Sequence, residues 1–449
     1  MTLRFGTDGV RGVANAELTP EYAMILGRAA ARVLGGTTVL IGRDTRRSGT
    51  LILGALAAGF CAEGVDVTDL GVLPTPAVAL ASVERNALAA MISASHNPFG
   101  DNGIKFFQPG GRKLDDPTQE AIEAEIRTIS EQISANKVAK IAKIGTDVGV
   151  VSMDGGYTTT YVANIVSVLQ GRSLAGLHVV LDCANGSAAE AAPSAFRALG
   201  AKVAVLHATP DGVNINAHCG STHPESLQAA VIAQGADIGF AFDGDADRML
   251  AVDHTGELVD GDQLMAMMAL DMRERGTLAN NTVVVTVMTN LGFKLAMANA
   301  GVNVVETKVG DRYVLEAIED QGHNLGGEQS GHLILRDHAT TGDGTLAALV
   351  IADLVVRSGQ TLTAHSTVMT RLPQVLRNVE GVDRTKLDSA DALWADVRDV
   401  EESFGGRGRV LIRPSGTEAL VRVMVEAPTS EQAEAACERL CATVTSTLR

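Results

Sequence analysis

Ile238-Gly239-Phe240-Ala241-Phe242-Asp243-Gly244-Asp245-Ala246-Asp247-Arg248 is the stretch on which the reading of this chain turns. Its first half is a short unbroken apolar run, as expected of a strand buried on both faces. Its second half is a polar loop that begins with no spacer. Toward the N-terminus a helix opens at Pro224, a strand covers Val203–Leu206, an alanine-rich helix follows Asn185-Gly186, and a strand covers His178–Asp182. Strands alternating with helices mark an α/β unit.

The same plan stands on either side. Upstream, Thr19 and Pro20 open a helix that Gly35 and Gly36 close. Strand Thr38–Ile41, helix Leu51–Glu63, strand Val65–Leu70, a helix near Pro76 and strand Leu88–Ile92 follow, ending in Ser93-Ala94-Ser95-His96-Asn97-Pro98. A connector at Asn136–Gly149 separates this pass from the next. Downstream, helix Gln263–Arg273, strand Val283–Val287, helix Phe293–Ala300, strand Val302–Glu306 and helix Arg312–Asp320 lead to Gly326-Gly327-Glu328-Gln329-Ser330-Gly331-His332. From about Arg371 the order changes. Helix Asp391–Phe404 precedes strand Arg409–Ile412, and Arg413-Pro414-Ser415-Gly416-Thr417-Glu418 joins it to strand Leu420–Val425, before a last helix from Ser430. Three similar α/β domains are expected over 1–150, 151–255 and 256–370, with a smaller α+β domain over 371–449. Ligands of open α/β sheets gather at the carboxyl ends of strands, where these loops lie.

The bulk properties agree. A length of 449 residues exceeds one hydrophobic core, and domains of ~100–200 residues give three or four. With aromatics at 3%, the cores must be built from Ala, Val, Leu and Ile. The 37 basic and 53 acidic residues leave a net charge of −16, which argues against a general nucleic-acid binder. A few arginines can still reverse the field inside a cleft and admit an anionic small molecule. The 5 cysteines are scattered without a CxxC pair, as reduced thiols would be. Cys437 and Cys441, one helical turn apart, read as core. His218, Cys219 and His223 cluster but lack a fourth ligand at zinc-site spacing, so a metal there is not expected. The start, Met1–Val13, has no secretory pattern, and Leu346–Val356 is too short and too interrupted to span a bilayer.

The loops carry the chemistry. Asp243, Asp245 and Asp247, at every second position, can converge on one hard cation such as Mg²⁺. An EF-hand is excluded by Arg248 and His254 where glycine and glutamate are needed. An aspartate phosphatase competes, although Asp247 fills a place where that motif wants Thr or Val. A solvated acidic turn is the plain alternative, yet three acids beside an apolar strand repel one another without a cation. Ser95 lacks a Gly-x-Ser-x-Gly elbow, and alone its loop reads as a turn. Arg413–Thr417 offers an arginine fork, two hydroxyls and a glycine to a phosphate, or forms a simple hairpin turn. Glu328 and Ser330, two apart on an extended segment, point the same way and can hold sugar hydroxyls.

In this order the four loops resemble the α-D-phosphohexomutase family over essentially the whole chain, from Phe5-Gly6-Thr7-Asp8-Gly9-Val10-Arg11-Gly12 and Ile41-Gly42-Arg43-Asp44 onward. The resemblance implies α/β domains with mixed sheets around a central cleft. It puts a phosphoryl group on Ser95 and one Mg²⁺ on Asp243, Asp245 and Asp247, with an oxygen of the Ser95 phosphate as a further contact. Arg11, His96 and Lys105 fall around the transferring group, Lys105 as proton acceptor and donor, with Arg248 nearby. Glu328, Ser330 and His332 fall on the sugar, Lys308 on the segment that reads its orientation, and Arg413, Ser415, Gly416 and Thr417 on the substrate phosphate.

The likeness is greatest to the bacterial branch that acts on glucosamine phosphate. It rests on Ser93–Phe99 with Asp101–Phe107, on Pro210-Asp211-Gly212-Val213-Asn214-Ile215-Asn216, and on Gln329, where glucose and mannose enzymes usually carry Met. Gly100 departs from the bulkier residue expected there and would loosen its loop. The implied activity is an isomerase that moves a phosphoryl group between C6 and C1 of glucosamine phosphate. It would work in the cytoplasm, supplying cell-wall precursors, with phosphorylated Ser95 and glucosamine 1,6-bisphosphate as intermediate and activator. A small phosphosugar is the implied partner, without nucleic acid or membrane and with a homodimer left open. A glucose or mannose phosphate mutase, an aspartate-dependent phosphatase and a non-catalytic sugar-phosphate binder are the alternatives.

Overall fold

Four sheets organise the computed structural model, which describes residues 3–6, 9–134, 143–415 and 420–449; each follows one pass of the chain, except that strand Val151–Met153, at the start of the expected second pass, joins the first sheet. Thr7, Asp8, Gly416, Thr417 and the stretch 136–142 of the expected connector lie outside the described residues.

The first sheet runs, by neighbours, Val10–Val13, Asp101–Gln108, Leu88–Ile92, Thr38–Arg43, Asp66–Val72 and Val151–Met153, with Arg112–Lys113 beside Asp101–Gln108. Its inner pairings are parallel, as alternation with helices demands. The two strands beyond Leu88–Ile92 are antiparallel, so the sheet is mixed. Asp101–Gln108, given no secondary structure from the sequence, holds Asp101, Asn102, Gly103 and Lys105, which are poor strand formers. It is nevertheless a buried strand, with Lys105 opposite Met91 and Gly103 opposite Arg11. Register therefore brings Arg11 and Lys105 to the end of the strand that carries Ser95. Helix Pro20–Leu34 begins at the expected cap, where Thr19 accepts a hydrogen bond from the Tyr22 N–H at 3.2 Å. Gly35, at φ 68°, ends it.

In the second sheet Leu258–Val259, Met249–Asp253, Ile238–Phe242, His178–Asp182 and Lys202–Leu206 lie side by side. Ile238–Phe242 and His178–Asp182 span the residues their apolar runs indicate, and both are parallel neighbours. The third sheet has the order Asn303–Thr307, Thr282–Thr286, Leu325–Gly327, Leu333–Leu335. Its last strand turns back, so Glu328–His332 forms a tight connection between two strands.

Two compact units are distinguished: residues 1–288 with 303–366, and 289–302 with 367–449. Within the second, Gln374–Glu380, Leu420–Glu426 and Arg409–Pro414 form an antiparallel sheet backed by helices Asp391–Ser403 and Ser430–Thr447. Residues 289–302, read from sequence as part of the third pass, are tied into this unit. Glu426, fully buried, accepts from the Leu291 N–H at 2.8 Å and pairs with Arg409 at 2.7 Å. Cys437 is buried in the core of this unit, as its helical spacing indicates. One core cluster of the first unit, around helix Pro20–Leu34, is built mainly from Ala, Val, Leu and Ile. Among the described residues no helix is long and apolar enough to cross a membrane.

Candidate active site

The loop after Leu88–Ile92 folds over a frame of buried polar groups. Ser95 has φ 52°, a left-handed conformation that non-glycine residues seldom take, and it is 1% exposed. Its N–H donates to Ser93 Oγ at 2.9 Å, and Ser93 donates to Asp44 Oδ2 at 2.6 Å. Arg46 pairs with Asp44 and reaches the carbonyls of Ser95 (3.2 Å) and Asn97 (2.5 Å). Asn216 Nδ2 donates to the same two carbonyls at 2.8 and 3.0 Å. Four side chains from three segments thus hold the strained backbone. The sequence motifs contained Asp44, Ser93 and Asn216, but nothing in the sequence said that they meet.

The second loop closes on the first. A Cβ on Gly244 would lie 2.6 Å from the Ser95 carbonyl oxygen, so glycine is required by close approach. Ser95 Oγ donates to Asp243 Oδ2 at 2.6 Å, with His96 Nδ1 3.2 Å away. Asp243, Asp245 and Asp247 are all buried, and one oxygen of each lies within 4.8 Å of the others. Thr75 Oγ1 and Lys105 Nζ donate to Asp245 Oδ2 at 2.6 and 2.9 Å, and Lys105 stands 3.4 Å from Asp247 Oδ2. Asp245 Oδ1 and Asp247 Oδ1 are buried without a hydrogen-bond partner. Buried carboxylate oxygens left so are costly unless a cation takes them. The oxygen-only donor set therefore fits a hard cation such as Mg²⁺.

The electrostatics set Asp243 and Asp247 apart. Burial, then repulsion from Asp247 and Asp245, pushes the Asp243 carboxyl well above the usual carboxylate range. Burial opposes charge on Asp247 too, but Lys105 and its other cationic and hydrogen-bonding neighbours outweigh it and hold that carboxyl well below the range. Burial, then Arg248 and Arg11, lowers His96 to about 4, so its imidazole is neutral at pH 7.

Beside this centre opens a cavity of about 420 Å³ whose lining includes Arg4, Arg11, Asp247, Arg248, Glu328 and His332. Glu328 accepts from the Gly310 N–H at 3.1 Å and from Ser330 Oγ at 3.3 Å, so the expected pair is together. Three arginines give the wall a cationic character suited to phosphate; Arg4 was not singled out from sequence. His332 is 2% exposed and sits beside Asp247: Nδ1 is 3.6 Å from Asp247 Oδ2, and Nε2 accepts from the Gly342 N–H at 3.0 Å. Lys308 is exposed, its Nζ 5.9 Å from the Tyr313 ring centroid, while its neighbours Val309, Gly310 and Asp311 line the cavity. Nothing within 4 Å would meet a side chain at Gly100, so packing alone does not require glycine there.

In the C-terminal unit Arg413 stands opposite Arg422 in the antiparallel register. Two adjoining guanidinium groups favour an anion between them. Ser415 is buried, its N–H donating to the Leu420 carbonyl at 2.9 Å and its carbonyl accepting from Arg384 at 2.7 Å.

Four segments match domain descriptions of one family. These are phosphoglucomutase/phosphomannomutase alpha/beta/alpha domains I (residues 2–133), II (156–256) and III (260–372) and the C-terminal domain (376–443). The chain belongs to the phosphoglucomutase/phosphomannomutase family. Among its relatives are the phosphoglucosamine mutase of Nocardioides sp., 53% identical with 98% of each chain covered, and that of Streptomyces avermitilis, 52% identical with 99% of each covered. A solved structure of a family protein from Burkholderia thailandensis superposes with a TM-score of 0.81 at 25% identity, covering 98% of this chain and 97% of the other.

Proposed function

We propose that the chain is a phosphoglucosamine mutase, interconverting glucosamine 6-phosphate and glucosamine 1-phosphate through a phosphorylated Ser95. The observation that carries the covalent route is the Ser95 hydroxyl, held 2.6 Å from Asp243 inside a buried three-carboxylate cluster with two unsatisfied oxygens. The choice of glucosamine rests on the naming of relatives at 53% and 52% identity and on the Gln329 loop.

Asp243, Asp245 and Asp247 would hold Mg²⁺, whose charge offsets that of the phosphoryl group during transfer. Arg11 and Arg248 stabilise the same charge from the cavity side. Lys105 is the assigned proton carrier. As the neutral amine it takes the proton of the attacking sugar hydroxyl as the phosphorus–oxygen bond to Ser95 breaks and the bond to the sugar forms, and the ammonium so made gives that proton to the Ser95 oxygen. The product, glucosamine 1,6-bisphosphate, turns end for end. Ser95 then attacks its other phosphate, so the net reaction moves one phosphoryl group and consumes nothing. Neutral His96, beside Ser95 Oγ, serves as a hydrogen-bond partner rather than a fixed charge. Glu328 and Ser330 hold sugar hydroxyls, with Lys308 in the segment that reads orientation. His332, on the cavity lining and 3.6 Å from Asp247 Oδ2, can orient that carboxylate as well as meet the sugar.

Along the chain, residues 1–150 are assigned the phosphoserine, 151–255 the cation, 256–370 the sugar, and 371–449 a phosphate through Arg413, Ser415, Gly416 and Thr417. The enzyme is assigned to the cytoplasm, where its product feeds cell-wall precursors. A coupled assay for the three hexose 1-phosphates, primed with the matching bisphosphates, tests the substrate. Turnover should be highest on glucosamine 6-phosphate. Higher turnover on glucose or mannose phosphate overturns the choice of sugar, and stoichiometric release of inorganic phosphate overturns the mutase reading.

A further inference from the structure

Cys219, grouped by sequence with His218 and His223, is gathered by the fold with Asp182 and His207. Its sulfur, a carboxylate oxygen and a ring nitrogen all lie within 4.8 Å of one another. The three come from separate segments: the last residue of strand His178–Asp182, the residue after strand Lys202–Leu206, and the residue before the turn Gly220–Thr222. The cluster is therefore made by tertiary structure.

Asp182, fully buried, is fixed by two backbone amides: Oδ1 accepts from Ala184 at 2.9 Å and Oδ2 from Gly220 at 3.0 Å. His207 has φ 46°, a left-handed conformation that costs a non-glycine residue on the order of 1–3 kcal/mol. A hydrogen bond from the Asn185 N–H to its carbonyl, 2.6 Å, holds it there. In this conformation Nδ1 lies 3.1 Å from Asp182 Oδ1, yet that buried nitrogen makes no hydrogen bond. A strained residue whose ring nitrogen stands close to a fixed carboxylate without hydrogen-bond geometry, and beside a buried sulfur, is an arrangement a metal would complete. The His207 side chain is 32% exposed, which leaves one side open to solvent.

We propose that Asp182, His207 and Cys219 form a second cation site, for Zn²⁺ or a metal of similar softness, with solvent in the remaining position. Thiolate, imidazole and carboxylate are the donors Zn²⁺ takes, three protein ligands leaving one place open. The oxygen-only set on the neighbouring strand selects a hard cation, so the two sites take different metals. Burial pushes the Cys219 thiol up to about 12, so binding must release its proton to solvent as the sulfur–metal bond forms. The inference does not depend on the mutase reading.

Co²⁺ is the probe. It should be titrated into the full, thiol-reduced chain already saturated with Mg²⁺. One equivalent should produce a thiolate-to-Co²⁺ absorption in the near ultraviolet, and Zn²⁺ should displace it. Cys219→Ser should abolish the band. His207→Gly, which suits the left-handed backbone and so preserves the fold, should weaken Co²⁺ binding at least about tenfold. Asp243→Asn should leave the band in place. Absence of the band, its survival in Cys219→Ser, unchanged affinity in His207→Gly, or its loss in Asp243→Asn overturns the proposal.

Discussion

The Ser95 carbonyl is held by Arg46 and Asn216, its N–H by Ser93 and its hydroxyl by Asp243, and its side chain is buried. Glu328 is only half-buried on the cavity wall and is met by one amide and one hydroxyl. The contrast matches what each region must do in the proposed reaction. The oxygen that gives and receives the phosphoryl group has to meet its partner in line, and a misplacement of about 1 Å can cost about 100-fold in rate. The sugar, by contrast, must be gripped, released and gripped again in the opposite orientation. A network as tight as that around Ser95 would stall it.

The comparison breaks most readily at the metal cluster. Chelation should abolish turnover, and Mg²⁺ should restore it; full turnover in a metal-free sample would show that the unsatisfied Asp245 and Asp247 oxygens are not a cation site. A smaller effect is expected from Asn216→Ala, which frees the Ser95 and Asn97 carbonyls while leaving the nucleophile intact. We expect kcat to fall about 10- to 100-fold with KM little changed. A change confined to KM would place Asn216 in substrate binding and dissolve the rigid-frame side of the contrast.

Glu328→Ala sharpens the other side. If Glu328 holds hydroxyls near the middle of the ring, forward and reverse kcat/KM should fall together, each by about tenfold. Impairment in one direction alone, at matched saturation, would mean that the loop serves a single orientation.

The smallest effect concerns a buried acid outside the reaction. Burial raises Asp343 from 3.8 to about 6, although the Leu346 N–H and the Tyr161 hydroxyl donate to it. A carboxyl with a raised folded-state pKa binds its proton more tightly when folded. Its stabilising contribution is thus complete below the unfolded value and is lost as pH rises through the folded one. Asp343→Asn should therefore gain stability relative to the parent chain between about pH 4 and pH 6, by at most about 3 kcal/mol. Parallel denaturant titrations check this, and a difference that does not change with pH would place the Asp343 pKa near its ordinary value.

Some of this was legible in the residues. Leu88–Ile92, His178–Asp182 and Ile238–Phe242 are apolar runs bounded by polar loops, and their strands begin and end where composition changes. The acidic triad was legible because its members are close in sequence and alternate on one loop. Strand Asp101–Gln108 was not, because its polar residues are buried against partners far along the chain: Lys105 on Asp245, Asn102 on Ser48. Asp44, Arg46 and Asn216 stayed unassigned for the same reason. The meeting of Cys219 with Asp182 and His207 was not legible either, because the three stand on separate segments far apart in the chain.

The most direct test of the account is a single turnover of chain carrying phosphate on Ser95. Mixed with stoichiometric glucosamine 6-phosphate and followed by intact mass and product analysis, the phosphoryl group should leave Ser95 as glucosamine 1,6-bisphosphate appears in equal amount, with glucosamine 1-phosphate following. Glucosamine 1-phosphate forming while Ser95 keeps its phosphate, or the phosphate leaving as the inorganic ion, would contradict it.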